Sequence, residues 1–214
     1  MEALLTIAVV AGATGLVGQA LVGQLADDGT WGEVRALVRD ALPSHLAGPN
    51  VAAVEVDYTA LDPPPAWAAA DQVFCALGTT MRDAGSEAAF RRVDFEYPLA
   101  LARAALARGA RHYLLVSAVG AAAGSRVFYN RVKGEVEDAI MALGFRALTI
   151  ARPSLLLGRR AKPRLAEQLG KIVGVLAPPR WRPVPAERVA AALVSAAKRD
   201  LPGVRILENP ELLG

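Results

Sequence analysis

The sequence predicts an α/β fold, a parallel sheet covered by helices on both faces and forming a single domain. Three observations carry this. Short apolar runs rich in β-branched residues alternate with longer amphipathic stretches along most of the chain. Those runs contain few polar residues, as expected for strands buried on both faces. The length of 214 residues, 53% hydrophobic and 21% charged, is enough to bury one full core.

The elements follow in order. "LLTIAVVA" at 4–11 is the first strand, and "LVGQALVGQLADDG" is a helix ending at Gly29. "VRALV" at 34–38, "VAAVEV" at 51–56 and "QVFCAL" at 72–77 are three further strands. The proline run at 63–65 replaces or shortens the crossover helix between the last two. One long helix is expected over 86–109, with Gly109 as its stop. "HYLLVSA" at 112–118 is a strand, 126–144 a helix stopped near Gly144, and "RALTIA" at 146–151 a strand. Beyond Pro153 the pattern loosens. One helix is expected before 179 and another after Pro185, with "VRIL" at 204–207 as an edge strand. The segment at about 153–183 is too short for a separate domain and reads as a lid or substrate region beside the sheet.

Composition narrows the function classes. The net charge of +3 is small and the arginines are scattered, so a nucleic-acid partner is not expected. Cys75 is the only cysteine, which rules out an intrachain disulfide and a cysteine-based zinc site. His45 and His112 are the only histidines, and neither has neighbours that complete a metal set. No secretory signal or membrane span is expected, and a cytoplasmic protein is the default.

"GATGLVG" places Gly12, Gly15 and Gly18 directly after the first strand and at the opening of the first helix. The first glycine allows a sharp turn, the second lets backbone approach a pyrophosphate, and the third lets helix pack on strand. The helix N-terminus then offers N–H groups to the anion. The sheet is therefore expected to be a Rossmann-type doubly wound one, with Thr14, Leu16 and Val17 beside the three glycines at the phosphates. Arg39, at the end of the second strand, suits a 2′-phosphate, while Asp40 after it suits a ribose hydroxyl. Asp57, followed by Tyr58, is placed to meet the adenine amino group, and Gly78, before Thr79, lets the cofactor come close.

"YNRVK" at 129–133 puts Tyr129 and Lys133 four residues apart, on one helical face. A cation there helps to poise a phenol that otherwise titrates near pH 10. The same spacing also fits a packed ring and a surface charge.

Taken together, "GATGLVG", "LGTT", "VSAVGA", "YNRVK" and "ARPSLLLG" resemble the short-chain dehydrogenase/reductase superfamily, most closely its atypical, Tat-interacting-protein-like branch. The resemblance runs from Leu4 to about Gly158. It implies Tyr129 as the proton donor or acceptor for a carbonyl or alcohol substrate. Lys133 would sit at the nicotinamide ribose, Ser117 would be the polarising hydroxyl, and Pro153 would lie beside the cofactor. NADP(H) is the expected cofactor, with NAD(H) as the other option. Two positions depart from the pattern: Ala118 stands where a second serine is usual, and Asp94 stands where an asparagine is usual. The reading is an NADPH-dependent oxidoreductase. Its alternative is a non-catalytic NADP(H)-binding regulator or interaction module, with a homodimer left open. The basic cluster at 158–164 is either a solvated loop or an attractor for an anionic substrate.

Overall fold

The computed structural model describes residues 6–158 and 178–214. Seven parallel strands make one sheet in the order β3-β2-β1-β4-β5-β6-β9. They are β1 (Thr6–Ala11), β2 (Trp31–Val38), β3 (Val51–Glu55), β4 (Gln72–Cys75), β5 (His112–Val116), β6 (Ala147–Arg152) and β9 (Gly203–Glu208). Between β6 and β9, the two-residue strands β7 (Leu156–Leu157) and β8 (Val184–Pro185) pair in parallel. The helices are α1 (Leu16–Asp27), α2 (Met81–Ala84), α3 (Glu87–Arg91), α4 (Tyr97–Ala107), α5 (Phe128–Met141), α6 (Ala186–Arg199) and α7 (Asn209–Leu212).

The apolar runs work as a doubly covered sheet requires. Along β1, Ala8 and Val10 face a core shared with Leu21 and Leu25 of α1 and Val189 and Leu193 of α6. Val9 and Ala11 face the opposite core, with Leu101 and Ala105 of α4 and Val136 and Ile140 of α5. The period of two along the strand sends consecutive side chains to different cores, so every position after Thr6 is apolar. β1 pairs with β2 on one side and β4 on the other, and the chain reverses its winding there.

Two elements differ from expectation. β2 starts at Trp31, before the expected Val34, because Trp31 is buried and its indole N–H donates to Gln72 Oε1 at 3.0 Å. The expected helix over 86–109 is divided: a π turn at Arg92–Glu96 joins α3 to α4. Pro98 has no N–H to give the carbonyl of Asp94 four residues back, and the helical ladder widens there. The first strand is described from Thr6, since Leu4 and Leu5 lie outside the described residues. The β3–β4 connection carries only a 3₁₀ turn at Ala66–Ala68, in line with its proline run. The expected helix before 179, most of the lid segment and nearly all of the basic cluster at 158–164 also lie outside the described residues.

α5 is seated by a glycine that the motif reading passes over. A Cβ at Gly134 would stand 2.2 Å from the backbone of Ala122 and Ala123, so the helix rests directly on the loop after β5. Gly134→Ala should therefore cost about 1–3 kcal/mol or more, because backbone must move to admit the methyl. Urea unfolding of the two proteins checks this, and equal midpoints would show that the loop yields freely.

Candidate active site

The loops at the C-terminal ends of β1, β2, β4 and β5 enclose two adjoining cavities of about 570 and 250 Å³. Both are lined by Gly15 and residues 76–79, so they form one groove across the reversal point.

At the centre is the glycine turn. Gly12 has φ +76°, and a Cβ there would lie 2.6 Å from the carbonyl oxygen of Ala76. The Gly15 N–H donates to the Gly12 carbonyl at 2.9 Å. At Gly18 a Cβ would lie 2.0 Å from that same carbonyl oxygen, so only glycine lets α1 sit this close to the turn. Gly15 caps α1 without a side-chain hydrogen bond, and the first turn carries no acidic residue. Its N–H groups have no intrahelical partners and face the groove beside Leu16 and Val17. This cradle suits a pyrophosphate.

The smaller cavity is walled by Thr14, Leu37, Val38, Arg39, Tyr58 and Tyr97, among others. Tyr58 stacks on Tyr97 with ring centroids 5.3 Å apart, and its buried hydroxyl has no partner among the described residues. Burial holds that phenol well above its usual range, so it remains protonated. Asp57, expected at the adenine amino group, lies just after β3. Its exposed carboxylate accepts from the N–H and hydroxyl of Thr59 at 2.8 and 2.7 Å, and it does not line the cavity. A short acidic side chain is readily captured by backbone two residues on. Of the neighbours Arg39 and Asp40, it is Arg39 that lines the cavity.

The larger cavity collects the other expected residues: Ser117, Tyr129, Lys133, Gly78, Thr79 and Pro153. Ser117 lies just past β5. It is 5% exposed, and its Oγ is buried with no partner among the described residues. Its N–H donates to the Ala151 carbonyl at 2.8 Å, while Val119 N–H donates to the Pro153 carbonyl at 2.9 Å, tying the β5 and β6 loops together. Tyr129 is half-buried in the first turn of α5, its ring 5.5 Å from that of Phe90. Lys133, one turn further on, is 4% exposed, with Nζ 2.8 Å from Asp94 Oδ1. Burial pushes the lysine down, but Asp94 and Tyr129 beside it outweigh burial and hold it above its ordinary value.

Asp94 is the residue whose role the motifs do not disclose. It projects from the π turn, is 1% exposed, and its other oxygen accepts the Thr79 N–H at 2.9 Å. Trp181, Asn130 and Leu155 also line the larger cavity, and no local motif marks them. Two residues lie apart from the groove chemistry. Cys75 is fully buried in β4, and burial raises its thiol. His112 opens β5, held between Asp200 Oδ1 at 3.1 Å and Thr149 Oγ1 at 2.9 Å.

A family model described as NAD(P)H-binding matches residues 12–200. The chain belongs to the NAD(P)H-binding family. Its relatives place it with the Tat-interacting-protein-like oxidoreductases that the motifs resemble. The chain is 36% identical over 209 residues to "Protein HTATIP2" of Rattus norvegicus, covering 94% of this chain and 86% of that protein. It is 35% identical over 215 residues to "Protein FMP52, mitochondrial" of Eremothecium gossypii, covering 96% and 95%. Among solved structures it resembles "MoeE5 in complex with UDP-glucose and NAD" with a TM-score of 0.74 and 17% identity, over 94% of this chain and 75% of that one. It also resembles the Bordetella bronchiseptica enzyme WbmH in complex with NAD+, with a TM-score of 0.75 and 14% identity, over 95% and 76%. At these identities the structural likeness shows the fold. The cytoplasmic default is overturned, because fungal relatives aligned over nearly the whole of this NAD(P)H-binding chain are named as mitochondrial proteins.

Gly15 separates binding from folding. Its φ of −80° suits any residue, and an added Cβ meets only the Gly12 oxygen, at 3.2 Å. Gly15→Val should abolish dinucleotide binding in titration calorimetry while thermal unfolding stays within a few degrees of wild type. Retained binding would remove the cradle assignment.

Proposed function

We propose that this chain is an NADPH-dependent oxidoreductase acting on a small carbonyl or alcohol. One observation carries the reading: Ser117, whose buried hydroxyl has no partner among the described residues, lines the same cavity as Tyr129 and Lys133, next to the glycine cradle. Bound NADP(H) would supply or accept the hydride. The residues of the chain do the rest. Ser117 donates its hydroxyl to the substrate oxygen and holds it in place. Tyr129 gives its proton to that oxygen, or takes one in the reverse direction. Poising a phenol near pH 7 needs about 4 kcal/mol of preference for phenolate. Lys133, within electrostatic reach of Tyr129, supplies part of it. Gly78 and Thr79 form the floor between the two cavities, and Pro153 fixes the far wall.

Arg39 supports the choice of NADPH, as the cation that lines the smaller cavity at the end of β2. A charge-assisted contact to a 2′-phosphate is worth roughly 1.5–3 kcal/mol. Arg39→Ala should weaken NADPH by about one to two decades and leave NADH nearly unchanged. Equal losses for both, or a wild type that prefers NADH, would assign the position to the ribose hydroxyl and Asp40.

A second reading, a NADP(H)-binding regulator without turnover, draws on the ion pair between Lys133 and Asp94, which takes charge away from the phenol. Steady-state NADPH oxidation against a panel of aldehydes and ketones separates the two. With a substrate in hand, Tyr129→Phe should lower turnover by about two decades or more and leave cofactor affinity intact. Wild-type turnover in that variant would remove Tyr129 from the chemistry.

A further inference from the structure

The carboxylate of Asp94 joins two elements. Oδ2 takes the N–H of Thr79 from the loop after β4, and Oδ1 stands 2.8 Å from Lys133 Nζ on α5. Its side chain is fully buried and that of Lys133 nearly so. Water does not screen such a pair, so its charges are felt by whatever lies beside it. The π turn and Pro98 set Asp94 at this spot, and Gly78 lies against the pair, where a Cβ would touch Oδ1 at 3.4 Å and Nζ at 3.7 Å. The titratable groups facing Lys133 are Asp94 from the π turn, Tyr129 from its own helix and the Cys75 thiol from β4.

We infer that Asp94 is a positioning residue that holds Lys133 against the β4 loop and, by neutralising it, withholds positive potential from Tyr129. Asparagine would keep an acceptor for the Thr79 N–H and lose the charge, so the two duties separate in one substitution. The inference deepens the oxidoreductase reading and rests on it for the importance of Tyr129.

The test needs no substrate. Tyr129 is titrated by phenolate absorbance, with Tyr129→Phe in the same background subtracted as the blank, below the pH at which far-ultraviolet circular dichroism reports opening of the fold. In Asp94→Asn the Tyr129 midpoint should fall by about one pH unit or more, the scale expected of a charge a few ångströms away. An unchanged or raised midpoint overturns the inference, as does a Tyr129 silent in both proteins. Should Asp94→Asn be unstable, a second comparison strands no buried charge in its double variant. The midpoint of Lys133→Met combined with Asp94→Asn should lie within about half a pH unit of wild type, because a neutral pair is replaced by neutral groups, and a midpoint raised by about one unit or more overturns the inference. A shifted midpoint in a protein that oxidises no NADPH with any carbonyl sustains the Asp94 assignment while removing the oxidoreductase reading.

Discussion

The closest approach in the site is between Gly18 and the Gly12 carbonyl, where a single methyl group would come within 2.0 Å of the oxygen. Everything at the groove follows from it. Because α1 can press this tightly on the turn, its N-terminus points at the floor between the cavities. Gly12 in turn lies against Ala76, which couples the turn to the end of β4. One backbone contact thus fixes the distance between the helix that would meet an anion and the loop that carries Gly78 and Thr79. Side-chain contacts could yield by changing rotamer. This one has only backbone atoms on both sides and cannot.

A second constraint runs along α5. Tyr129, Lys133 and Glu137 follow at intervals of four and share one face of the helix. The face passes from the half-buried cavity wall at Tyr129 to full burial at Glu137, whose carboxylate is met by Arg152 at the end of β6, with Nε to Oε1 at 3.1 Å. Arg152 also reaches Glu208 of β9 at 3.1 Å. The pairs of Lys133 with Asp94 and of Glu137 with Arg152 sit on neighbouring turns, and each holds a fully buried carboxylate, so removing the cation from either would strand a charge. The helix is therefore held in its rotation by polar contacts as well as by Val136 and Ile140 in the core.

What the sequence discloses depends on whether a contact is local. Strands buried on both faces leave apolar runs, so each strand of the main sheet could be placed along the chain. The glycine spacing and the Tyr129–Lys133 interval are local as well, and both mark the groove. Trp31 was missed as a strand start because Gly32 follows it and because its indole partner, Gln72, lies on another strand. The orientation of Ser117 depends on the junction with β6 through Ala151, which no spacing encodes. Asp94 could be seen as a substitution but not as the partner of Lys133, 39 residues further on. Asp57 also carries a contact that its motif does not disclose, to Thr59 two residues later.

The pairing of Leu156 with Val184 and of Leu157 with Pro185 makes a neck. This two-rung clasp lies next to the larger cavity, where Ser154 Oγ donates to the Trp181 carbonyl at 3.0 Å. With both ends pinned side by side, doubling the length of chain beyond the clasp adds only about 0.6 kcal/mol of closure entropy. The clasp thus works as a docking port in evolutionary terms. Residues can be added, lost or exchanged between its two strands without any strand of the main sheet having to shift.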